Sequence, residues 1–211
     1  MPERRVVSVN VGRPREGTWG RETFTTAIVK EPVAGNRRIE GVNIVGDDQA
    51  DRTVHGGPSK AVYAYSMEDY AWWSQRLERD LPPGTFGENL TLEGVDASAL
   101  PIGERWRVGT ALLEVSEPRI PCFKLAWRMQ SPTFPKHFGK AMRFGTYFRI
   151  IEEGEVEAGS PMTLERTALE PTLPSRDVAR IYMFDHTEKE KLAGIPALAL
   201  HWQNWGAGIN S

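Results

Sequence analysis

Cys122 stands in the segment SEPRIPCFKL, where the neighbouring residue types favour chemistry at sulfur. Two prolines stiffen the approach to this cysteine, and Arg119 and Lys124 flank it. Nearby cations favour the thiolate, which is the form that ligates a metal or attacks an electrophile. A lone cysteine is also often a buried, unreactive side chain, so the sequence leaves open both a reactive thiol and a structural cysteine.

The cysteine lies in a stretch from Pro118 to Ile151 that contains no Asp or Glu. The whole chain has a formal net charge of −2, and the part outside this stretch contains 19 basic residues and all 28 acidic residues. A local positive field of this kind favours an anionic ligand, although a solvated basic face would show the same pattern. The seven cations are Arg119, Lys124, Arg128, Lys136, Lys140, Arg143 and Arg149.

A second candidate cluster is the segment GDDQADRTVHGGPSK at positions 46–60. Gly56 and Gly57 would let backbone N–H groups approach a ligand closely. His55 could donate to an anion or carry a proton, and Lys60 could neutralise charge. A turn-rich connection with Asp side chains capping backbone donors is the alternative.

The third candidate is Asn89 in the segment GENL. Its amide offers both donors and acceptors, which suits the edge of a heterocycle. A hairpin with an exposed polar turn would explain the same residues, so the segment is a weak signal by itself.

Length and composition restrict the class of protein that carries these groups. The 211 residues predict one domain, or one with a small appendage, and 40% hydrophobic with 26% charged residues are typical of a soluble globular protein. A single cysteine excludes an internal disulfide and a zinc site of several thiolates. We expect a cytoplasmic protein with no membrane or nucleic-acid partner, since the chain shows neither a long apolar run nor an overall basic excess.

The pattern of apolar residues predicts short strands that would position the three clusters. Many short strands with Gly, Pro, Asn or Asp between them favour a barrel or sandwich with interrupting helices. The predicted helices cover 66–79, 122–129 and 132–142. The predicted strands are Arg5–Val11, Thr23–Lys30, Lys60–Ser66, Glu88–Leu92, Ile102–Val108, Thr110–Val115, Gly145–Glu152 and Pro161–Arg166.

In the C-terminal tail the spacing of the apolar residues changes from that of strands to that of helices. Three short amphipathic helices are predicted there, the last with Leu198, Trp202 and Trp205 on one face. We therefore predict a β-barrel domain at 1–170 and a small three-helix bundle at 171–211. These helices are expected to pack on the barrel or on a second subunit, which would form a homodimer.

Three motifs together resemble the MOSC-domain proteins, named for the C-terminal domain of molybdenum-cofactor sulfurases, and in particular their YiiM-like branch. The motifs are GDDQADRTVHGGPSKAVYAY, FGENLTLEG and SEPRIPCFKL. The resemblance implies a MOSC-type β-barrel that binds molybdenum cofactor, with Cys122 as the protein ligand to molybdenum. Many relatives have His-His-Gly-Gly where this chain has Val54-His55-Gly56-Gly57.

The resemblance further implies reduction of N-hydroxylated compounds such as 6-hydroxylaminopurine, a detoxification reaction. Cys122 would be the catalytic metal ligand, while His55, Gly56, Gly57, Lys60, Asn89, Arg119 and Lys124 would hold the cofactor. One cysteine cannot hold an iron–sulfur cluster, so electrons would come from a separate reductase. Two alternatives remain open from the sequence: a non-enzymatic carrier of molybdenum cofactor, and a sulfur carrier with a persulfide on Cys122.

Overall fold

The computed structural model describes residues 3–50 and 56–209, which form a mixed α/β fold around one large sheet. The strands are β1 (Arg5–Val11), β2 (Arg15–Trp19), β3 (Glu22–Thr26), β4 (Glu31–Pro32), β5 (Arg37–Glu40), β6 (Asn43–Ile44), β7 (Val62–Ser66), β8 (Leu90–Glu93), β9 (Arg105–Val108), β10 (Ala111–Pro118), β11 (Thr146–Glu152), β12 (Gly154–Val156) and β13 (Met162–Arg166). The α-helices are α1 (Met67–Leu77), α2 (Phe123–Met129), α3 (Phe134–Ala141), α4 (Ser175–Phe184), α5 (Glu190–Ala193) and α6 (Leu200–Gly206).

Eight strands form the main sheet in the order β13-β9-β10-β11-β7-β8-β1-β4. β7 and β8 run parallel, whereas the other neighbours in this sheet run antiparallel. Every residue of β10 is buried, and the strand ends at Pro118, immediately before the segment that carries the cysteine. The middle of the sheet therefore supports the candidate site.

No closed barrel is found among the described residues. Near Arg5 and Pro161, β1 approaches the segment that leads into β13: Val6 N donates to Ser160 O at 2.9 Å, Gly159 N to Val6 O at 2.8 Å and Met162 N to Arg4 O at 2.9 Å. Pro161 has no N–H with which to extend this contact into a continuous ladder. The prediction of a barrel is thus corrected to a large, incompletely closed sheet.

The C-terminal helices bury their apolar faces against the sheet. Val178 and Ile181 of α4 and Trp202 of α6 belong to the same buried cluster as Val6 and Phe148 of the strands. No self-contained three-helix bundle is found in the described tail, where α5 is a single short turn. The reason is that these apolar side chains complete the core of the sheet; a domain boundary between residues 170 and 171 stays a prediction.

A second buried cluster consists largely of aromatic rings between α1, α3 and the sheet. Tyr65, Trp73 and Phe86 surround Phe138, and the rings of Trp73 and Phe138 stack with centroids 5.8 Å apart. This cluster lies beneath the segment that follows β10, where the guanidinium of Arg119 is over the ring of Phe138. Among the described residues, no helix is both long and apolar enough to cross a membrane.

Replacing Ile181 by Ala tests the packing of the tail on the sheet. Ile181 is fully buried, so its truncation should lower the free energy of unfolding by about 2–5 kcal/mol, the usual cost for a buried aliphatic side chain. Leu169→Ala is the matched control, because Leu169 is 66% exposed. Urea unfolding measures both; an equal effect of the two variants would contradict the packing described here.

Candidate functional site

Cys122 lies where β10 has ended and α2 is about to begin. It is the residue immediately before α2, is half-buried, and its carbonyl accepts a hydrogen bond from Leu125 N at 3.0 Å. Pro118 and Pro121 restrict the backbone between the strand and the helix. The position of the sulfur is therefore set by two regular elements and a stiff connection.

Two cavities meet at Cys122. The first has a volume of about 100 Å³ and the second about 380 Å³, and Lys60, Cys122 and Tyr147 line both. The first cavity brings together five residues predicted from the sequence: Lys60, Asn89, Arg119, Cys122 and Lys124. Segments that are far apart in the chain thus line one cavity together with the cysteine.

Arg119 is buried in the wall of the first cavity. Its guanidinium lies over the rings of Tyr63 and Phe138, at 6.0 and 5.7 Å from their centroids, and Nη1 donates to the carbonyl of Ile120 at 3.3 Å. No carboxylate of the described residues forms an ion pair with it. A buried cation without a counter-charge favours an anion in the cavity beside it.

Lys124, on the first turn of α2, is the second cation of this wall. It is half-buried and forms no ion pair with a carboxylate in the described part of the chain. Arg119 and Lys124 therefore add positive charge to a cavity whose lining also contains Asp48 and Asp47, the latter paired with Lys30.

The described part of the loop before β7 places Asp47, Asp48, Gln49, Ala50 and Lys60 in the lining of the first cavity. Gly57 has φ of 91°, a conformation that suits glycine, and donates its N–H to Gln49 Oε1 at 2.8 Å. Neither Gly56 nor Gly57 lines either cavity. His55 lies outside the described residues, so its predicted role stays a prediction.

Asn89 lines the first cavity, but its amide is engaged within the protein. Oδ1 accepts from Tyr63 N at 3.1 Å, and Nδ2 donates to Asp47 Oδ2 at 2.8 Å. The geometry favours a positioning role for Asn89, since it holds β7 and Asp47 in place.

Lys30 and Asp47 form a buried ion pair that the sequence analysis missed. Asp47 Oδ1 also accepts from Gly12 N at 2.8 Å. Burial lowers the pKa of Lys30, although the charge of Asp47 acts in the opposite direction. Asp47 lay within a recognised motif, but Lys30 belongs to no motif, and only the fold brings the two together.

Glu117 is the second buried carboxylate of the site, and its side chain is only 1% exposed. Lys60 Nζ lies 3.0 Å from Oε1, His201 Nε2 lies 3.2 Å from Oε2, and Trp202 Nε1 donates to Oε2 at 2.7 Å. Burial is the largest influence and acts to raise the pKa of Glu117, but His201, Lys60 and Trp202 together hold it below its ordinary value. Glu117 is therefore an anchored carboxylate that joins the sheet to α6.

The second cavity lies between this carboxylate and the C-terminal helices. Tyr182, Trp202 and Trp205 line one side, with the ring of Tyr182 edge-on to both tryptophans at centroid distances of 4.9 and 5.3 Å. Tyr147 stands between the two cavities; burial raises its pKa to about 12, although Arg119 acts to lower it. Tyr147 consequently keeps its O–H at neutral pH.

The family of this chain follows from a match that includes Lys60, Asn89, Arg119, Cys122 and Lys124. A family model for the MOSC domain matches residues 51–163, more than half of the chain. The chain belongs to the MOSC family, whose domain is associated with molybdenum-cofactor binding.

Individual relatives place the chain near the proteins called YiiM. It is 30% identical to Protein YiiM of Escherichia coli K12 over 182 residues, 84% of this chain and 81% of that protein. The crystal structure of YiiM from Geobacillus stearothermophilus superposes with a TM-score of 0.79 and 32% identity, covering 97% of this chain and 98% of that one. A protein named "Reductase" from Gibberella moniliformis is 33% identical over 165 residues, 75% of this chain but 29% of its own length.

Glu117→Gln tests the anchored carboxylate through its pH dependence. A carboxyl group whose pKa is lowered on folding stabilises the fold above its unfolded pKa, and this contribution disappears as the pH falls through the folded value. At pH 7 we expect the variant to be less stable than the wild type by roughly 1.5–3 kcal/mol. The difference should shrink once the pH falls below the ordinary value of 4.5.

Urea unfolding between pH 7 and pH 4 provides the measurement. Glu22→Gln controls for the loss of one negative charge, because Glu22 is exposed on the β2–β3 hairpin. A stability difference between wild type and Glu117→Gln that stays constant over this range would show that the charge of Glu117 does not stabilise the fold.

Proposed function

We propose that the protein is a molybdenum-cofactor-dependent reductase of N-hydroxylated compounds. The observation that carries the proposal is the meeting of one half-buried thiol with a buried, carboxylate-free guanidinium in the wall of a single cavity. Membership of the MOSC family and the similarity to a protein named "Reductase" support it.

The donor set fits the chemistry of this cofactor. Thiolate is a soft ligand that suits molybdenum, and Cys122 supplies it. The cofactor carries a phosphate, for which Arg119 and Lys124 are the cations that no described carboxylate neutralises. Lys60 would act mainly through Glu117, and Asn89 through Asp47, since these partners already engage them.

The overall reaction consumes two electrons and two protons for each substrate. The N–O bond breaks, a hydrogen is added to nitrogen, and the oxygen leaves as water. When bound, the cofactor supplies two-electron redox chemistry at the substrate oxygen. The chain's own residues hold the cofactor, orient the substrate and provide O–H and N–H donors, among them Tyr147.

The electrons need a donor outside this chain. We propose a separate electron-transfer reductase for this role, and in an assay reduced methyl viologen, a low-potential one-electron donor, can replace it. We also propose a cytoplasmic location. We also propose that the protein forms a homodimer, which the contacts within a single chain do not test.

Cys122→Ser tests the metal ligand. The variant should lose molybdenum and nearly all turnover, because a serine hydroxyl is a poor substitute for a soft thiolate. Metal analysis and pterin fluorescence on protein from a cofactor-competent host measure occupancy, and circular dichroism checks the fold. Full metal content and turnover in the folded variant would overturn the assignment.

The same measurements separate the two other functions. A wild-type protein that carries molybdenum and pterin, but reduces no N-hydroxylated compound with a reduced viologen present, would be a cofactor carrier. A wild-type protein with an added sulfur mass on Cys122 and no pterin would be a sulfur carrier.

Arg119→Met tests the anion site. Methionine keeps an apolar stem over Tyr63 and Phe138 but removes the charge, so the core contacts are largely preserved. Losing one charge-assisted contact of roughly 1.5–3 kcal/mol should weaken cofactor binding about ten- to a hundredfold. Pterin content per folded protein is the readout, and Lys136→Ala is the control, since Lys136 is exposed and lines neither cavity. Equal occupancy in both variants would refute the anion site.

A further inference from the structure

The helix α2 and the hairpin β2–β3 form one continuous surface beside Cys122. Phe24 of β3 lies edge-on to Phe123 and Trp127 of α2, with centroid distances of 4.9 and 5.6 Å. The two elements approach closely, since a Cβ at Gly17 of β2 would lie 3.1 Å from the ring of Trp127. The surface formed by α2 and β2–β3 is named the hairpin face below.

The cations of the hairpin face have no acidic partners. Arg15 is exposed on β2, and Lys124 and Arg128 are half-buried one turn apart on α2. In the described part of the chain, none of the three forms an ion pair with a carboxylate. The face therefore presents positive charge that an acidic group from outside the chain can neutralise.

Arg15 and Arg128 are close enough for their charges to repel each other. Burial lowers the pKa of Arg128, and the charge of Arg15 acts in the same direction. Tyr70, Glu88 and Glu31 act to raise it, but within the described chain none of them forms an ion pair with Arg128. Because two like charges held together are unfavourable, an acidic partner gains attraction from both and relieves their repulsion.

The shape and composition of this face fit a protein better than a small molecule. Phe123 is 49% exposed beside the cations, although it is a large aromatic side chain. Aromatic and arginine side chains are enriched at protein–protein interfaces. Neither Arg15 nor Arg128 lines either cavity, so these charges do not surround a pocket for a small ligand.

The hairpin face lies next to the proposed cofactor site. Phe123 and Lys124 follow Cys122 directly in the chain, and Lys124 also lines the first cavity. A protein bound to this face is therefore a neighbour of the cavity that holds the thiol. The proposed reaction needs two electrons from outside the chain, and a donor at this position could deliver them beside the thiol.

We infer that the hairpin face is the docking site of the electron donor, and that this donor is a one-electron carrier protein with an acidic surface. Two reduced carriers dock in succession, and each is oxidised by one electron. The two electrons, with two protons from solvent, break the N–O bond and release the oxygen as water. This inference rests on the proposed function for what the electrons reduce, but docking itself does not require turnover.

Binding without turnover is the first test. Oxidised plant-type [2Fe–2S] ferredoxin, a small acidic one-electron carrier, is titrated calorimetrically into the cofactor-loaded full-length protein. Its affinity should fall as the ionic strength rises from about 0.01 to 0.15 M, because the Debye length shrinks from roughly 30 to 8 Å. No binding of ferredoxin, or binding that salt does not weaken, would overturn the inference.

Two double variants with the same change in net charge locate the docking site. Arg15→Glu with Arg128→Gln alters the hairpin face, and Lys136→Glu with Lys140→Gln alters exposed positions of α3 as the control. The first should lower both the affinity for ferredoxin and kcat/KM for reduced ferredoxin about tenfold, and the control should have a much smaller effect. Equal effects of the two would refute a localised docking site. Arg15→Glu alone changes an exposed residue and should show about a threefold loss, even if the double variant does not fold.

Reduced methyl viologen separates docking from chemistry. This small cationic donor gains nothing from a basic docking face, so both double variants should reduce 6-hydroxylaminopurine with it as fast as the wild type does. If the hairpin-face variant loses turnover with methyl viologen as strongly as with ferredoxin, the inference is wrong, because the charges would then act on the catalytic site.

The binding and turnover results also distinguish the two proposals. Turnover with methyl viologen in a wild-type protein that does not bind ferredoxin would retain the reductase function and refute the docking site. Ferredoxin binding that Arg15→Glu with Arg128→Gln weakens, in a protein that neither donor enables to turn over, would retain the docking site and refute the reductase function.

Discussion

A buried carboxylate on the central strand is the constraint on which the site depends. Glu117 is almost fully withdrawn from solvent, so it can remain charged only if donors surround it. The charge of Lys60, in the turn before β7, and the side chains of His201 and Trp202, on α6, surround it. Satisfying this one side chain therefore joins α6 to the sheet and holds Lys60, which lines both cavities.

The charged groups of the site fall into two kinds. Lys30 with Asp47, and Lys60 with Glu117, are internal pairs whose partners lie in the described residues. Among the described residues, aromatic faces and a backbone carbonyl surround the guanidinium of Arg119, and no ion pair is formed with it. The pairs hold the architecture together, and the charge of Arg119 is the one on which the proposed anion site depends.

The sequence predicted local features well and distant pairings poorly. Apolar stretches bounded by Gly, Pro, Asn or Asp identified β1, β10 and β11, whereas β4 and β6 are only two residues long and carry no such pattern. Arg119 and Lys124 could be found because they neighbour Cys122 in the chain. The bond between Trp202 and Glu117 spans 85 residues, and no local pattern encodes it.

The family resemblance implied a β-barrel and a helical bundle, whereas the described residues form a mixed α/β fold with an incompletely closed sheet and tail helices packed on it. Both outcomes depend on how side chains from separate segments share a core, which a linear pattern does not contain. Trp202 and Trp205 were expected as the apolar face of a bundle helix. The fold places Trp202 largely in the core and Trp205 in the wall of a cavity.

Among the described residues, Lys60, Cys122 and Tyr147 are the side chains common to both cavity linings. Lys60 belongs to the turn before β7, Cys122 to the connection before α2 and Tyr147 to β11, so three separate segments meet here. A substitution at any one of the three therefore reshapes both cavities at once, and its effect cannot be assigned to one cavity alone.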